Sequence, residues 1–254
     1  MKRAKSYVDN RRKRILEELE SEPEVRVDQL ALKLGVSAIT VRRDLQYLED
    51  NKQLVRFYGG ATASTQEDAG ARDLEIYRKR IAKFAAQFIS DNDTMFINSS
   101  SNALKVLEYI NKENVTVITN NGKAIMSNYN AASVRVTLTG GELQHPKNVL
   151  VGNLALTNLM NVFVKKTFVG CSGVSVEKGI TSEIYNEVSI NEMMINHATQ
   201  GVYLLADHTK IGSDSSFSSS PIEKISVLIT DELAPEEELE KFRRKGVTVY
   251  KVKK

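Results

Sequence analysis

The stretch "VSAITVRRDLQYLED", residues 36–50, combines a core-facing apolar stripe with an exposed basic face. At the 100° per residue of a helix, Val41, Leu45 and Leu48 fall on one side, which predicts the buried face. The outer face and its flanks carry Ile39, Thr40, Arg42, Arg43, Gln46 and Tyr47. An isoleucine exposed beside arginines is unusual in a solvent face but is suited to contacting base edges.

The segments before this helix predict two more helices. "RRKRILEELE", residues 11–20, is amphipathic, and "RVDQLALKLGVS", residues 26–37, predicts a helix that ends at Gly35. Ser37 is the expected N-cap of the third helix. The second and third predicted helices, joined by a short turn, therefore predict a helix-turn-helix whose second helix is exposed.

The segment after the third helix predicts a wing. "QLVRFYGGATAS", residues 53–64, contains a short strand with Arg56, then a Gly59-Gly60 turn and further strand-like residues. Three helices and a wing predict a winged helix-turn-helix DNA-binding domain over residues 1–62.

Positive charge is concentrated in that domain. Residues 1–62 hold 13 Lys+Arg against 10 Asp+Glu, which accounts for the whole net charge of +3. The first fourteen residues are the most basic. A solvated helix face and a phosphate-contacting arm both explain such a run, and the adjacent helix-turn-helix favours the arm.

The run "LALKLGVSAITVRRDLQYLEDNKQLVRFYGGA", residues 30–61, resembles the N-terminal signature of the DeoR-type (GlpR-type) bacterial transcriptional repressors. "NKQ", residues 51–53, stands where that family often has a glycine. Asp44 is expected to orient an arginine, because a carboxylate facing phosphates would be repelled. The expected DNA contacts are Ser37, Ile39, Thr40, Arg42, Arg43, Arg56, Gly59 and Gly60.

A small, polar segment at 63–74 predicts a linker to a second domain over 75–254. There, β-rich runs alternate with helical ones, which predicts an α/β fold with a mostly parallel sheet. The runs are "TMFIN", "VTVIT", "VRVTL", "TFVGC", "GVYLLA", "ISVLIT" and "VTVYK". Ligands of such sheets bind at the carboxyl ends of the strands.

Polar residues follow several of these strands. "INSSSNAL", residues 97–104, offers hydroxyls where a strand leads into a helix, and "TGGEL", "CSGVS" and "LLADHTKIG" follow other strands. Each alone is better explained by caps, turns or a surface ion pair. Together they predict a pocket for a polyanion or a sugar phosphate.

Nearly all of residues 75–251 resembles the C-terminal effector domain of the DeoR-type repressors, itself similar to ribose-phosphate isomerases and glucosamine-phosphate deaminases. The family's Asp-Ser-Gly-Thr-Thr loop is replaced by residues 98–102, an Ala-Asp-Gly by residues 171–173, and a lysine by Asn191. The predicted effector-binding residues are Asn98, Ser99, Ser100, Ser101, Asn102, Gly140, Gly141, Glu142, Ser172, Glu187, Asp207 and Lys210.

These replacements remove acid and base groups that proton transfer at a sugar carbon needs, so no catalytic residue is assigned. The sequence predicts a DNA-binding transcriptional regulator, a repressor of sugar or carbohydrate metabolism genes by resemblance, controlled by a phosphorylated sugar or related metabolite. A sugar-phosphate isomerase or deaminase with an accessory DNA-binding domain is the alternative. A nucleic-acid-binding scaffold without a ligand is a third interpretation.

The single cysteine, Cys171, excludes an intramolecular disulfide, and with His145, His197 and His208 it forms no metal-ligand spacing. We expect no cofactor or metal, and a structural role for the thiol. Without an apolar run of about 20 residues or a signal-peptide core, we expect no membrane association and a cytoplasmic location. A single winged domain buries too little surface for high specificity, so a homodimer or homotetramer is expected.

Overall fold

The chain folds into two units, Met1–Asp73 and Leu74–Lys254, in a computed structural model that describes residues 2–22, 24–51, 53–63 and 66–253. Each unit has its own hydrophobic core. In the part of the chain so described, no helix combines the length and the apolar character needed to cross a bilayer.

The first unit is a winged helix-turn-helix. Its elements are α1 (Lys2–Ser21), β1 (Glu24–Arg26), α2 (Val27–Leu34), α3 (Ala38–Asp50), β2 (Leu54–Phe57) and β3 (Gly60–Ala63). The strands form an antiparallel sheet in the order β1-β3-β2. Ile15, Val41, Leu45, Leu48 and Leu54 are fully or almost fully buried in its core, which confirms the predicted stripe of α3.

Local residues set the ends of these elements. Gly35 ends α2 with φ 63°, a left-handed conformation that suits glycine. The Ser37 hydroxyl accepts a hydrogen bond from the Thr40 amide at 3.2 Å, which confirms the predicted N-cap of α3. Gly60 has no room for a side chain, because a Cβ there would overlap the Val25 carbonyl oxygen.

Two expectations differ from the structure. The basic N-terminal segment is part of helix α1 rather than a separate arm, which suits a segment without Pro or Gly. Of the predicted linker, residue 63 belongs to β3 and residues 66–74 belong to helix α4 (Gln66–Ala85). They contain the helix formers Gln66, Glu67, Ala69 and Ala71, and a lack of apolar period does not prevent a helix. Residues 64 and 65 of that linker lie outside the described residues.

The second unit is built on a seven-stranded sheet in which every neighbouring pair is parallel. After α4 the elements are β4 (Thr94–Ile97), α5 (Ser101–Leu104), β5 (Val115–Thr119), β6 (Val134–Leu138), β7 (Glu142–Gln144), β8 (Val149–Val151), α6 (Asn153–Leu159), β9 (Val164–Val169), β10 (Gly173–Ser175), β11 (Gly179–Ser182), α7 (Tyr185–Asn196), β12 (Ala198–Leu205), β13 (Phe217–Ser220), β14 (Val227–Asp231), α8 (Glu236–Arg244) and β15 (Thr248–Val252). The sheet order is β15-β14-β12-β9-β4-β5-β6.

The seven apolar runs of the sequence are the seven strands of this sheet, which confirms the α/β class. Alternation along β4 shows why they are so apolar. Met95 and Ile97 pack with Ile81 of α4 on one side, whereas Phe96 packs with Ile190 of α7 on the other. Because both faces are covered, each side chain is fully buried and stabilises the fold by about 1.5–3 kcal/mol.

The order of the strands places a crevice at the middle of the sheet. From β4 the chain moves outward through β5 and β6, then crosses back to β9 and continues through β12, β14 and β15 on the other side. The boundary between β4 and β9 is therefore a topological switch point, where the loops after neighbouring strands diverge.

Candidate DNA-binding surface and effector cavity

The outer face of α3 is exposed and basic. Arg42 and Arg43 are exposed, and neither forms an ion pair with any residue that the structure describes. Ile39 is 61% exposed, and the Thr40 hydroxyl is hydrogen-bonded to the Ser37 hydroxyl at 2.9 Å. This surface leaves two cations and an apolar side chain available to a partner.

Asp44 joins α3 to α1 through two arginines. Its carboxylate accepts hydrogen bonds from Arg11 Nε at 2.5 Å and Arg12 Nε at 3.0 Å, and its side chain is 3% exposed. The Arg12 guanidinium also lies 3.4 Å from the centre of the Tyr47 ring. The expectation that Asp44 orients an arginine is confirmed. Arg11 and Arg12, counted in the basic arm, hold the third helix in place instead of standing free for phosphates.

The wing lies against the same helix. The Arg56 amide donates to Glu49 Oε1 at 3.0 Å, and its guanidinium donates to Gln46. Arg56 is therefore half-buried between the wing and α3. Gly59 has φ 91°, and it follows Tyr58, which is fully exposed at the tip of the turn. Sequence reasoning missed Tyr58, although its position beside the predicted Gly-Gly turn was a signal.

A cavity of about 280 Å³ opens at the β4–β9 switch point. We call it the effector cavity, after the ligand that the sequence predicts at these strand ends. Its lining residues are Arg78, Asn98, Ser99, Ser100, Ser101, Asn102, Lys123, Lys147, Gly170, Cys171, Ser172, Thr181, Ser182, Glu183, Glu187, Asn191 and Lys210.

Most of the predicted effector residues meet in this cavity: residues 98–102, Ser172, Glu187 and Lys210. Asp207 is completely buried beside it. Among the described residues that line the cavity, Gly140, Gly141 and Glu142 do not appear. Gly141 packs against the backbone of β8, and Glu142 is exposed on the β7–β8 hairpin, so this strand end is used for local packing.

Two amide side chains form the floor of the cavity. Asn98 Nδ2 donates to Asn191 Oδ1 at 3.1 Å and to the Gly170 carbonyl at 3.0 Å. Asn98 Oδ1 accepts from the Gly170 amide at 3.0 Å and the Ser100 amide at 3.2 Å. The floor is thus neutral, fixed in orientation and tied to both β4 and β9. Sequence reasoning marked both positions as replacements without showing that they touch.

Glu187 is the acidic group beside this floor. Its two oxygens accept from the Ser99 hydroxyl at 3.0 Å and the Ser182 hydroxyl at 2.8 Å. The Asn121 side chain donates to the Ser99 carbonyl at 2.8 Å and so ties the end of β5 to the same loop. These bonds fix the loop after β4 at the edge of the cavity.

Arg78 of α4 lines the cavity and is bonded to Asp207. Its Nε donates to Asp207 Oδ2 at 3.0 Å, and Asn102 Nδ2 donates to the same oxygen at 3.2 Å. Burial alone would raise the pKa of Asp207, but hydrogen bonds from Thr209, Arg78 and Asn102 outweigh it and hold the pKa below its ordinary value. Asp207 is therefore a carboxylate that positions Arg78.

Four cations line the cavity, of which sequence reasoning found only Lys210. Arg78 is paired with Asp207, and Lys147 lies 3.5 Å from Glu183. Lys123 and Lys210 form no ion pair within the described part of the chain. Lys123 follows the end of β5, so the strand-end rule could have identified it.

Cys171 lies at the end of β9 and packs against the core. Burial raises the pKa of the thiol to about 12, Asp207 adds to the rise, and Lys210 opposes it. The thiol is protonated near neutral pH and is a weak nucleophile there.

Comparisons with known proteins match both units. Residues 11–67 match the family model described as the DeoR-like helix-turn-helix domain, and residues 76–232 match the DeoR C terminal sensor domain. The HTH-type transcriptional repressor GlcR of Bacillus subtilis is 30% identical over 95% of this chain and 95% of its own. The lactose phosphotransferase system repressor of Staphylococcus epidermidis is 30% identical over 86% of this chain and 90% of its own. The solved structure of ribose 5-phosphate isomerase A from Methanocaldococcus jannaschii covers 55% of this chain and 54% of its own, at 14% identity and a TM-score of 0.38.

Proposed function

The chain belongs to the DeoR family of DNA-binding transcriptional regulators, and from that premise we propose that it represses genes of sugar metabolism under the control of a phosphorylated sugar or related metabolite. The observation that supports binding of such a metabolite is the effector cavity, which is lined by four cations and several hydroxyls around a neutral floor. Charged and hydroxyl donors of this kind bind phosphate oxygens.

We assign operator contact to α3 and the wing. Arg42 and Arg43 are exposed cations in the first half of α3, the proposed recognition helix. Arginine at such a position pairs with guanine or clamps a phosphate, and the exposed Ile39 would meet a thymine methyl. Thr40 and the N-cap Ser37 lie at the N-terminal end of α3, and it is the N-terminal residues of a recognition helix that contact base edges in the major groove. Arg56, Gly59 and Gly60 belong to the wing, which would follow the DNA backbone.

The effector is assigned to the cavity at the switch point. Residues 98–102 and Ser172 supply hydroxyls and amides, Lys210 supplies charge, and Asp207 holds Arg78 toward the ligand. Gly140, Gly141 and Glu142 are left out of the proposed contact set. Glu187 orients Ser99 and Ser182.

Control of DNA binding would come from self-association. A homodimer or homotetramer presents paired DNA-binding domains whose spacing must match two operator half-sites. Effector binding that reorders the loops after β4 and β9 would change that spacing and weaken operator binding.

The test measures operator binding by fluorescence anisotropy for the full chain, with and without a panel of sugar phosphates. Arg42→Ala and Arg43→Ala are each expected to cost about 1–3 kcal/mol of specific binding if the side chain reads a base. Lys224→Ala, an exposed lysine outside both sites, is the control. The proposal fails if neither arginine affects operator binding, or if no phosphorylated metabolite changes it. A ligand-free scaffold would also show no rise in melting temperature with any phosphate compound.

The enzyme alternative receives no support from GlcR or from the lactose phosphotransferase system repressor, both of which are named as repressors. Asn98 and Asn191 are amides, which do not exchange protons as a carboxylate or an amine does. A direct assay of sugar-phosphate isomerisation checks this point, and turnover above background would restore the alternative.

A further inference from the structure

One end of the effector cavity has a positive charge beyond its ion pair. Arg78 is paired with Asp207, whose backbone carbonyl accepts a hydrogen bond from the Lys210 amide at 2.9 Å. These three residues therefore form one group at the end of β12. Because Asp207 offsets Arg78, the Lys210 ammonium is the excess charge of this end.

The other end repeats the arrangement with different residues. The Gly122 amide donates to the Asn148 carbonyl at 2.8 Å, which brings the segments of Lys123 and Lys147 together. Lys147 is paired with Glu183, and Lys123 has no carboxylate partner in the described part of the chain. The excess charge of this end is the Lys123 ammonium.

The two ends are separated across the sheet. Lys210 follows β12 and Lys123 follows β5, with β9 and β4 between them. Three strand spacings of about 4.8 Å separate the two strand ends by roughly 14 Å. Both lysines line the cavity, and a separation of roughly 14 Å between the two strand ends is compatible with a monosaccharide that has a charged group at each terminus.

The floor between the two ends carries no net charge. It is formed by the amides of Asn98 and Asn191, which are hydrogen-bonded to each other, and by serine hydroxyls. Glu187 lies at its side with both oxygens already bonded to serines. Amides and hydroxyls bind neutral sugar hydroxyls, and none of these floor residues is a cation that would balance an anionic group.

We infer that the effector is a doubly anionic sugar, a bisphosphate or a phosphorylated sugar acid, with one anionic group bound by Lys210 and Arg78 and the other by Lys123 and Lys147. The inference rests on the proposed function and names the ligand class of the same cavity. A monophosphate would neutralise one end and leave the other lysine uncompensated.

The test compares binding of hexose 6-phosphate, hexose 1,6-bisphosphate and a 6-phosphorylated aldonic acid to the full chain by calorimetry. Lys123→Gln and Lys210→Gln each remove one end, and Lys224→Gln removes an exposed lysine outside the cavity. The doubly anionic ligands are expected to bind roughly tenfold to a hundredfold more tightly than the monophosphate, the gain of one charge-assisted contact. Each cavity variant should abolish that advantage, and Lys224→Gln should keep it.

Two results overturn the inference while the proposed function stands. One is a monophosphate that binds as tightly as the bisphosphate and still weakens operator binding. The other is an advantage of the bisphosphate that survives both cavity variants, which places its second group elsewhere. If no phosphate compound binds or alters operator binding, the proposed function itself fails, so the two failures are distinguishable.

Discussion

Asp44→Asn tests whether the contact between α1 and α3 fixes the recognition helix. The substitution keeps the volume of the side chain but removes its charge, and it places an amide NH2 against one of two guanidinium groups. Asp44 is 3% exposed, and Arg11 and Arg12 are 11% and 20% exposed. A charge-assisted hydrogen bond contributes about 1.5–3 kcal/mol, and removing one member of a buried pair costs about 3–5 kcal/mol. Because both arginines can partly reach water, we expect a cost of about 3 kcal/mol.

The assay is native-state hydrogen exchange of the α3 amides, since this reports opening of the first unit separately from the second. A cost of 3 kcal/mol corresponds to roughly a hundredfold faster exchange. Asp50→Asn makes the same chemical change at an exposed position of α3 and should stay within about 0.5 kcal/mol of the unsubstituted chain. Equal protection in the two variants would refute the reasoning. Operator binding of Asp44→Asn should fall in parallel with its protection.

Two further predictions concern the effector cavity. Arg78→Gln removes the guanidinium while Asp207 stays buried, so the pKa of Asp207 should rise. A carboxyl whose pKa is lower in the folded chain stabilises the fold at pH values above its unfolded pKa, and this contribution is lost as the pH falls through the folded pKa. The variant should therefore lose stability at a higher pH than the unsubstituted chain. Urea midpoints that run parallel for the two chains between about pH 7 and pH 3 would contradict this. Gly170→Ala places a Cβ against the Ser100 hydroxyl and should cost about 1–3 kcal/mol and abolish the ligand-induced rise in melting temperature. Gly70→Ala, with open space at its Cβ, is the control, and equal melting temperatures would contradict the packing argument.

The fold was predictable where the signal is local. Periodicity along α3 and along the seven apolar runs depends on neighbouring residues, and Gly35 and Ser37 mark the ends of helices by their own chemistry. β1 was missed because three residues, Glu24–Arg26, form a strand only by pairing with β3. The short hairpins of the second unit were missed for the same reason, since their pairing is tertiary.

The cavity was predictable to the extent that its residues follow parallel strands. Residues 98–102, Ser172 and Lys210 do so and were identified, and the same rule would have identified Lys123. Arg78 lies on a helix and meets Asp207 across 129 positions of sequence, a pairing that no local pattern indicates. The sequence also does not indicate that Asn98 would bind Asn191, or that Ser99 and Ser182 would both bind Glu187.

The effector cavity contains the only cysteine of the chain, Cys171. Because burial raises the pKa of this thiol to about 12, a thiol-specific reagent should react slowly near neutral pH and faster as the pH rises. With no second thiol in the sequence, all covalent labelling of this kind reports on one place. A ligand bound in this cavity should therefore slow the gain of mass measured by mass spectrometry, and occupancy could be followed without a tag, a dye or a substitution.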